Sequence, residues 1–302
     1  MVRCEPPDQC RGWRRPCPGR RRHRDRFLGR GPGAAHGTGA RTVGAGGAVV
    51  RIAVISDLHA NREALEAVLA HLATQDVGRL FCLGDVVGYG AEPEFCVDLV
   101  RGHAEICLLG NHDEALFGDA SDFNTHARKA IEYTRSRMLP RWWSGSEKKA
   151  RWKWMRGLPD NHREGRFLFV HGSPRDHVRE YVLATDGFLN PDKMRSIFNA
   201  FEGIALAGHT HQPGLHDESL GFHSLEGRES LTLRLPRDEK CLINVGSVGQ
   251  PRDGDNRACY AILEDELITW HRVSYDYRAA MHKILDTGAL PEVLARRLAV
   301  GK

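Results

Sequence analysis

The 302-residue chain has no run of about 20 apolar residues, so no membrane-spanning helix is expected. Its N-terminal stretch holds no apolar segment of the kind a secretory signal carries. None of its eight cysteines forms a Cys-x-x-Cys pair, which argues against a disulfide or zinc-ribbon framework. Cys82, Cys96, Cys107, Cys241 and Cys259 sit inside apolar runs and read as small, reduced, buried side chains of a cytoplasmic protein. No internal repeat is visible.

Residues 1–48 lack lysine and nearly lack acids: 11 Arg stand against Glu5, Asp8 and Asp25, a net of +8. The whole chain carries +4, so the remainder carries −4 and is mildly acidic. This stretch also holds Cys4, Cys10 and Cys17, ten Gly, five Pro and no apolar period, and cannot bury enough surface to offset its ordering. It is expected to be a disordered tail, or to precede a true start at Val49 or Val50. Arg-rich chain can touch nucleic acid or another acidic surface, but no specific nucleic-acid partner is predicted.

What remains, residues 49–302, reads as one domain. Residues 50–56 form an apolar strand pattern, Asn61 is placed to cap a helix running to Thr74, and a second strand ends at Leu83. A helix over 93–101 and a strand over 105–109 follow, an alternation that predicts a mainly parallel sheet with helices on its faces. Residues 114–160 break the pattern as a helical insertion. Between Arg135 and Arg156 stand eight Lys or Arg, only Glu147 among acids, and Trp142, Trp143, Trp152 and Trp154. Such a segment is either a lid that stacks a base and attracts phosphate, or a pair of cap helices that bury Trp and solvate a basic face. Beyond it come a strand at 167–170, a helix opened by Asn190-Pro191, and a strand ending at Gly208. Short alternating runs at 222–225, 231–235, 240–245, 258–263 and 267–273 predict antiparallel strands and a second sheet, and residues 278–302 predict terminal helices.

Polar residues recur after the apolar runs: Asp57 and His59, Asp85, Asn111 and His112, His171, then His209 and His211. Any one of these occurs by chance in many proteins; five strand ends delivering them in order do not. The elements Asp57-x-His59, Gly84-Asp85, Gly110-Asn111-His112-Asp113, His171-Gly172 and Gly208-His209-Thr210-His211 resemble the calcineurin-like metallophosphoesterase superfamily. The resemblance runs from residue 50 to about 275. It implies an α/β fold in which two mixed sheets form a sandwich flanked by helices. It also implies two divalent metals about 3.5–4 Å apart. Asp57, His59 and His211 would hold one, Asn111, His171 and His209 the other, and Asp85 would bridge them. Oxygen and imidazole donors without thiolate suit manganese first, with iron, zinc, cobalt or nickel as alternatives. A water shared by both metals would attack phosphorus in line, and His112 would protonate the leaving oxygen or stabilise its charge. Gly84, Gly110, Gly172 and Gly208 would let backbone pass close to the metals.

Two departures narrow the substrate. Tyr89 stands in Gly84-Asp85-Val86-Val87-Gly88-Tyr89-Gly90 where protein phosphatases and symmetrical diadenosine tetraphosphatases carry Arg, and Leu109 stands where protein phosphatases place Arg before Gly-Asn-His. Neither replaces a bidentate guanidinium. The Ser56-Asp57-Leu58-His59-Ala60-Asn61 stretch is closer to small bacterial phosphodiesterases. The leading reading is a cytoplasmic phosphodiesterase acting on a small, nucleotide-like phosphoester. A phosphomonoesterase or dinucleoside polyphosphate hydrolase is the alternative, and a non-catalytic interaction scaffold is the reading of another class. In the loop 244–255, Arg252 either contacts substrate phosphate or is stapled between Asp253 and Asp255. Arg175 is a weaker candidate, and His177, His216 and His223 read as surface residues.

Overall fold

The computed structural model describes residues 50–302, and the Arg-rich stretch with its three cysteines lies outside the described residues. β1 (Ile52–Ile55), α1 (Arg62–Leu72), β2 (Arg79–Cys82), α2 (Pro93–His103) and β3 (Ile106–Cys107) follow the expected alternation. Asn61 caps α1, its side chain accepting from Ala64 N. After α3 (Asn111–Glu114) come two longer helices, α4 (Thr125–Met138) and α5 (Ser146–Arg156). Then follow β4 (Asn161–Glu164), β5 (Phe167–Val170), α6 (Asp186–Leu189), α7 (Pro191–Phe198) and β6 (Ile204–Ala207). The last third holds β7 (Gly214–Asp217), β8 (Phe222–Ser224), β9 (Ser230–Arg234), β10 (Cys241–Asn244), β11 (Ala258–Glu264) and β12 (Leu267–Val273), closed by α8 (Tyr277–Asp286) and α9 (Glu292–Val300).

These strands build two six-stranded sheets, ordered β3-β2-β1-β11-β12-β9 and β4-β5-β6-β10-β7-β8. Both are mixed. β1 runs parallel to β2 and antiparallel to β11, while β6 is parallel to β5 and β10. The antiparallel runs of the last third therefore do not make a second sheet of their own. They complete both sheets, because each parallel core left an edge that a returning strand could pair. β4 escaped the apolar pattern altogether: Asn-His-Arg-Glu is an edge strand held by its backbone ladder to β5.

The pleat explains why the inner strands read as unbroken apolar runs. Ile52 and Val54 of β1 point between the sheets, whereas Ala53 and Ile55 point outward onto α1. In the second sheet Ile204 and Leu206 point inward, Ala205 and Ala207 outward against α7. Each strand thus has two dry faces, the condition that removes polar alternation. Between the sheets Phe81 and Phe169 meet edge to face at 5.1 Å, and fully buried Trp270 donates its indole N–H to Asn244 O at 2.9 Å. Burial of each large apolar side chain here stabilises the sandwich by about 1.5–3 kcal/mol.

The Trp-rich segment divides. Trp152 and Trp154 pack on the outer core of the first sheet, with Trp152 4.7 Å from Phe117. Trp142 and Trp143 stay in the α4–α5 connection, 84% and 60% exposed. Its basic face is not simply solvated, since Arg137 and Arg151 pair with Glu94 and Asp98 of α2 at 2.8 and 2.6 Å. Asn190 does not cap α7 with its side chain; its amide turns back to Asp186 Oδ1 at 2.7 Å. His216 is buried, not on the surface, because β7 lies inside its sheet between β10 and β8.

Candidate metal centre

The turns that follow β1, β2, β3, β5 and β6 converge on one spot. Their backbone is tightly wound: seven of the eleven non-glycine residues with left-handed φ among the described residues are Asp57, His59, Ala60, Asp85, Tyr89, His209 and His211. Such residues cost about 1–3 kcal/mol each and persist where the surroundings over-determine them. Close approach is the second constraint. A Cβ on Gly110 would strike Asp85 Oδ1 and Asp85 N, and one on Gly208 would strike Ser56 Oγ and Asp57 Oδ2.

Asp57, His59 and His211 form one group and Asp85, His171 and His209 another, the prospective ligand atoms in each lying within 4.8 Å of one another. All six are buried. In the first, His211 Nε2 is 3.1 Å from Asp57 Oδ1 and 3.2 Å from His59 Nε2. In the second, His171 Nε2 is 3.1 Å from Asn111 Oδ1. Asp85 Oδ2 lies between the groups, 3.7 Å from His59 Nε2 and 3.5 Å from His171 Nε2. Its other oxygen accepts from His112 N at 2.8 Å, so a single oxygen faces both sides. Each group draws on both sheets: β1, β2 and β3 lead into Asp57, His59, Asp85 and Asn111, whereas β5 and β6 lead into the three remaining histidines.

The outward nitrogens are fixed by backbone carbonyls. His59 Nδ1 donates to Val87 O at 3.2 Å, His171 Nδ1 to Leu83 O at 3.0 Å, and His211 Nδ1 to Gln250 O at 2.5 Å. His209 is reversed, its Nε2 donating to Arg179 O at 3.0 Å. His59, His209 and His211 therefore turn an unprotonated nitrogen toward the centre, and His171 turns its Nε2 there.

The donor set fits divalent cations. Asp57 Oδ1 is buried without a hydrogen-bond partner, and two Nε2 lone pairs face each other at 3.2 Å. Burial holds His59 and His211 below the usual imidazole range, with smaller opposing pulls from the carboxylates, and pushes His209 down to about 3. Burial works against the Asp57 and Asp85 carboxylates too, but His211 on the first and His171 on the second outweigh it and keep both ionised. His171, opposed by burial but drawn by Asp85, rises to about 9 and holds a proton that a cation would displace. Buried carboxylates and converging lone pairs of this kind are costly unless a cation joins them.

His112 follows Asn111 on α3, with its ring 5.0 Å from that of His59 and 4.4 Å from that of Tyr89. It could itself share a cation with His59 and Asp85, whose ligand atoms lie within reach. Its Nδ1 is buried and unpartnered, and burial lowers it to about 4. Arg252 is not stapled to its neighbours: Asp253 pairs with Arg272, and Asp255 pairs with Arg257 at 2.6 Å. It donates to Gln250 Oε1 at 2.8 Å, lies 5.6 Å over the Tyr89 ring, and is near enough to depress His112 and His211. Arg175 is tied up by Glu180 and by Ser196 Oγ at 2.9 Å. A cavity of about 530 Å³ lined by Leu215, Leu233, Arg237 and Cys241 contains none of these residues.

Sequence reasoning gave no role to Asp113, although it stands in the quoted Gly110-Asn111-His112-Asp113 element. Its buried carboxylate accepts from Val86 N at 3.3 Å, Val87 N at 3.2 Å and Gly110 N at 3.1 Å, tying the turn after β2 to the turn after β3. Tyr181 was also missed; no short-range motif marks it.

A helix-flanked pair of mixed sheets with a cation-binding cluster at its strand ends defines a metallophosphoesterase. The chain belongs to the calcineurin-like phosphoesterase superfamily, whose domain matches residues 50–266. It is 36% identical to an uncharacterized protein of Methanocaldococcus jannaschii over 260 residues, 83% of this chain and 98% of that one. A metallophosphoesterase from Sphaerobacter thermophilus is also 36% identical, with a TM-score of 0.71 over 84% of this chain and all of the other. A hypothetical protein from Pyrococcus horikoshii shares the fold at 17% identity and a TM-score of 0.65, covering 84% of this chain and 99% of its own. The protein is a metal-dependent phosphoester hydrolase. No helix among the described residues is long and apolar enough to cross a membrane.

Proposed function

We propose that this enzyme is a cytoplasmic phosphodiesterase for a small, nucleotide-like phosphoester, with manganese as its best-suited metal. The observation that carries the reading is the position of Arg252. Tyr89, which stands in place of a phosphate-clamping arginine, is buried and packed at a tilt against His59 and His112, and Arg252 lies across its face. Arg252 is near enough for its charge to lower both His112 and His211. One guanidinium matches the single negative charge of a diester better than the two charges of a monoester.

Asp57, His59 and His211 would hold one cation, Asn111, His171 and His209 a second, and Asp85 Oδ2 would be common to both. Bound there, divalent cations supply charge to the phosphate oxygens and acidify water near neutral pH. Arg252 orients the non-bridging oxygens. His112, uncharged and with an unpartnered nitrogen, offers a hydrogen bond that stabilises the charge developing on the leaving oxygen. Asp113 holds the turn that presents Asp85. Five buried free cysteines agree with a reducing compartment.

The test is hydrolysis of bis(p-nitrophenyl) phosphate beside p-nitrophenyl phosphate by the full chain, with manganese and after chelation. Diester turnover that needs metal and is abolished by Asp85→Asn is expected. Preference for the monoester would replace this reading with a phosphatase.

A further inference from the structure

Tyr181 touches the centre and still faces open solvent. Its ring lies 3.8 Å from that of His209, tilted by 36°, and the residue is 47% exposed. One face of the ring is committed to His209 and the rest is uncovered. The surrounding segment is pinned: Lys193 Nζ donates to Tyr181 O and to Asp186 Oδ2, each at 2.6 Å, and Leu183 N donates to the same oxygen at 2.8 Å. On the other side Arg179 O accepts from His209 Nε2 at 3.0 Å, and Arg179 Nε donates to Glu114 Oε2 at 2.9 Å.

We propose that Tyr181 is a stacking platform for an aromatic group of the substrate, a nucleobase carried on one ester arm. The proposal rests on the diesterase reading for where the phosphorus sits. With phosphate between Arg252 and the cluster, an ester arm leaving over His209 meets the Tyr181 ring next. A ring fixed in advance loses little entropy on binding, and stacking accepts any base because every base has a π face. Tyr181 is thus a specificity-determining residue that favours nucleoside esters over aliphatic ones without strong choice among bases.

Two diesters sharing one leaving group test this with the full chain and manganese: thymidine 5′-(p-nitrophenyl phosphate) and methyl p-nitrophenyl phosphate. The nucleoside ester is expected to be preferred by about tenfold in kcat/KM, mainly through KM. Tyr181→Leu should collapse that ratio and Tyr181→Phe should keep it. Equal loss on both esters would mean that the ring only holds His209, and the proposal would fall. Calorimetric binding of adenosine 5′-monophosphate against methyl phosphate separates the two readings, because it does not need turnover. If the wild type hydrolyses neither diester but Tyr181→Leu still weakens the nucleotide about tenfold, the diesterase reading fails alone. Nucleotide binding indifferent to Tyr181→Leu overturns the platform.

Discussion

Replacing Asp113 by Asn changes one atom and should be felt across two turns. The carboxylate accepts from Gly110 N and Val86 N on one oxygen and from Val87 N on the other, at 3.1, 3.3 and 3.2 Å. An amide that keeps its oxygen on the Gly110 and Val86 side must turn its NH₂ toward Val87 N–H, setting donor against donor. One buried N–H is then orphaned, at about 1–3 kcal/mol. Relief of the burial and Asp85 repulsion that push this carboxyl up to about 7 offsets part of it, so the expected loss is about 1–2 kcal/mol. Asp113→Ala orphans all three N–H groups and should cost about 4 kcal/mol. Urea unfolding of the metal-free proteins reads both as shifts in midpoint at unchanged slope. Because the same turn presents Asp85, metal affinity should also fall about 10- to 100-fold in Asp113→Asn. Unchanged stability together with unchanged metal affinity would refute the assignment of Asp113 as the staple between these turns.

His112→Ala should retain metal by elemental analysis while turnover falls about 10²–10⁴-fold; loss of metal would show that His112 is a ligand. Arg252→Met should lower diester kcat/KM about tenfold or more with little change in unfolding midpoint, and Arg252→Lys should recover only part, since a point charge cannot grip two oxygens. The buried His216 ring titrates near 4 in the folded protein, burial being the main cause, against 6.5 for the free side chain. The unfolded chain therefore takes up its proton first as pH falls, and the folded state should lose roughly 3 kcal/mol between pH 6.5 and 4. His216→Leu should remove that slope from the stability–pH curve; an unchanged slope would place the effect elsewhere.

The metal-facing residues were legible because each sits within four positions of the end of an apolar run, and Asp85, Asn111, His171 and His209 adjoin a glycine. Short-range order of that kind survives in sequence. Asp113 was visible as a letter but not as a staple, since two of its three partners, Val86 and Val87, come from the turn after another strand. Tyr181 carries no local mark; only the placement of the segment between β5 and β6 sets it against His209. β4 and β7 were missed for a related reason: Asn-His-Arg-Glu and Gly-Leu-His-Asp are strands by pairing, not by composition. The same gap put His216 on the surface, because its burial depends on β7 lying between two neighbours. For the tryptophans, local sequence could not say which pair would meet the core, and Trp152 and Trp154 did so because α5 packs against α2 and the first sheet.

Because each group of ligands takes members from both sheets, a bound cation would act as a rivet through the sandwich, fixing the slide of one sheet over the other. Stiffness and metal affinity become two readings of one quantity. A change at a residue that is itself no ligand, such as Phe81 or Phe169 where the sheets touch, would then register as altered metal binding with every ligand in place. Loading would equally harden the interface between the sheets against shear.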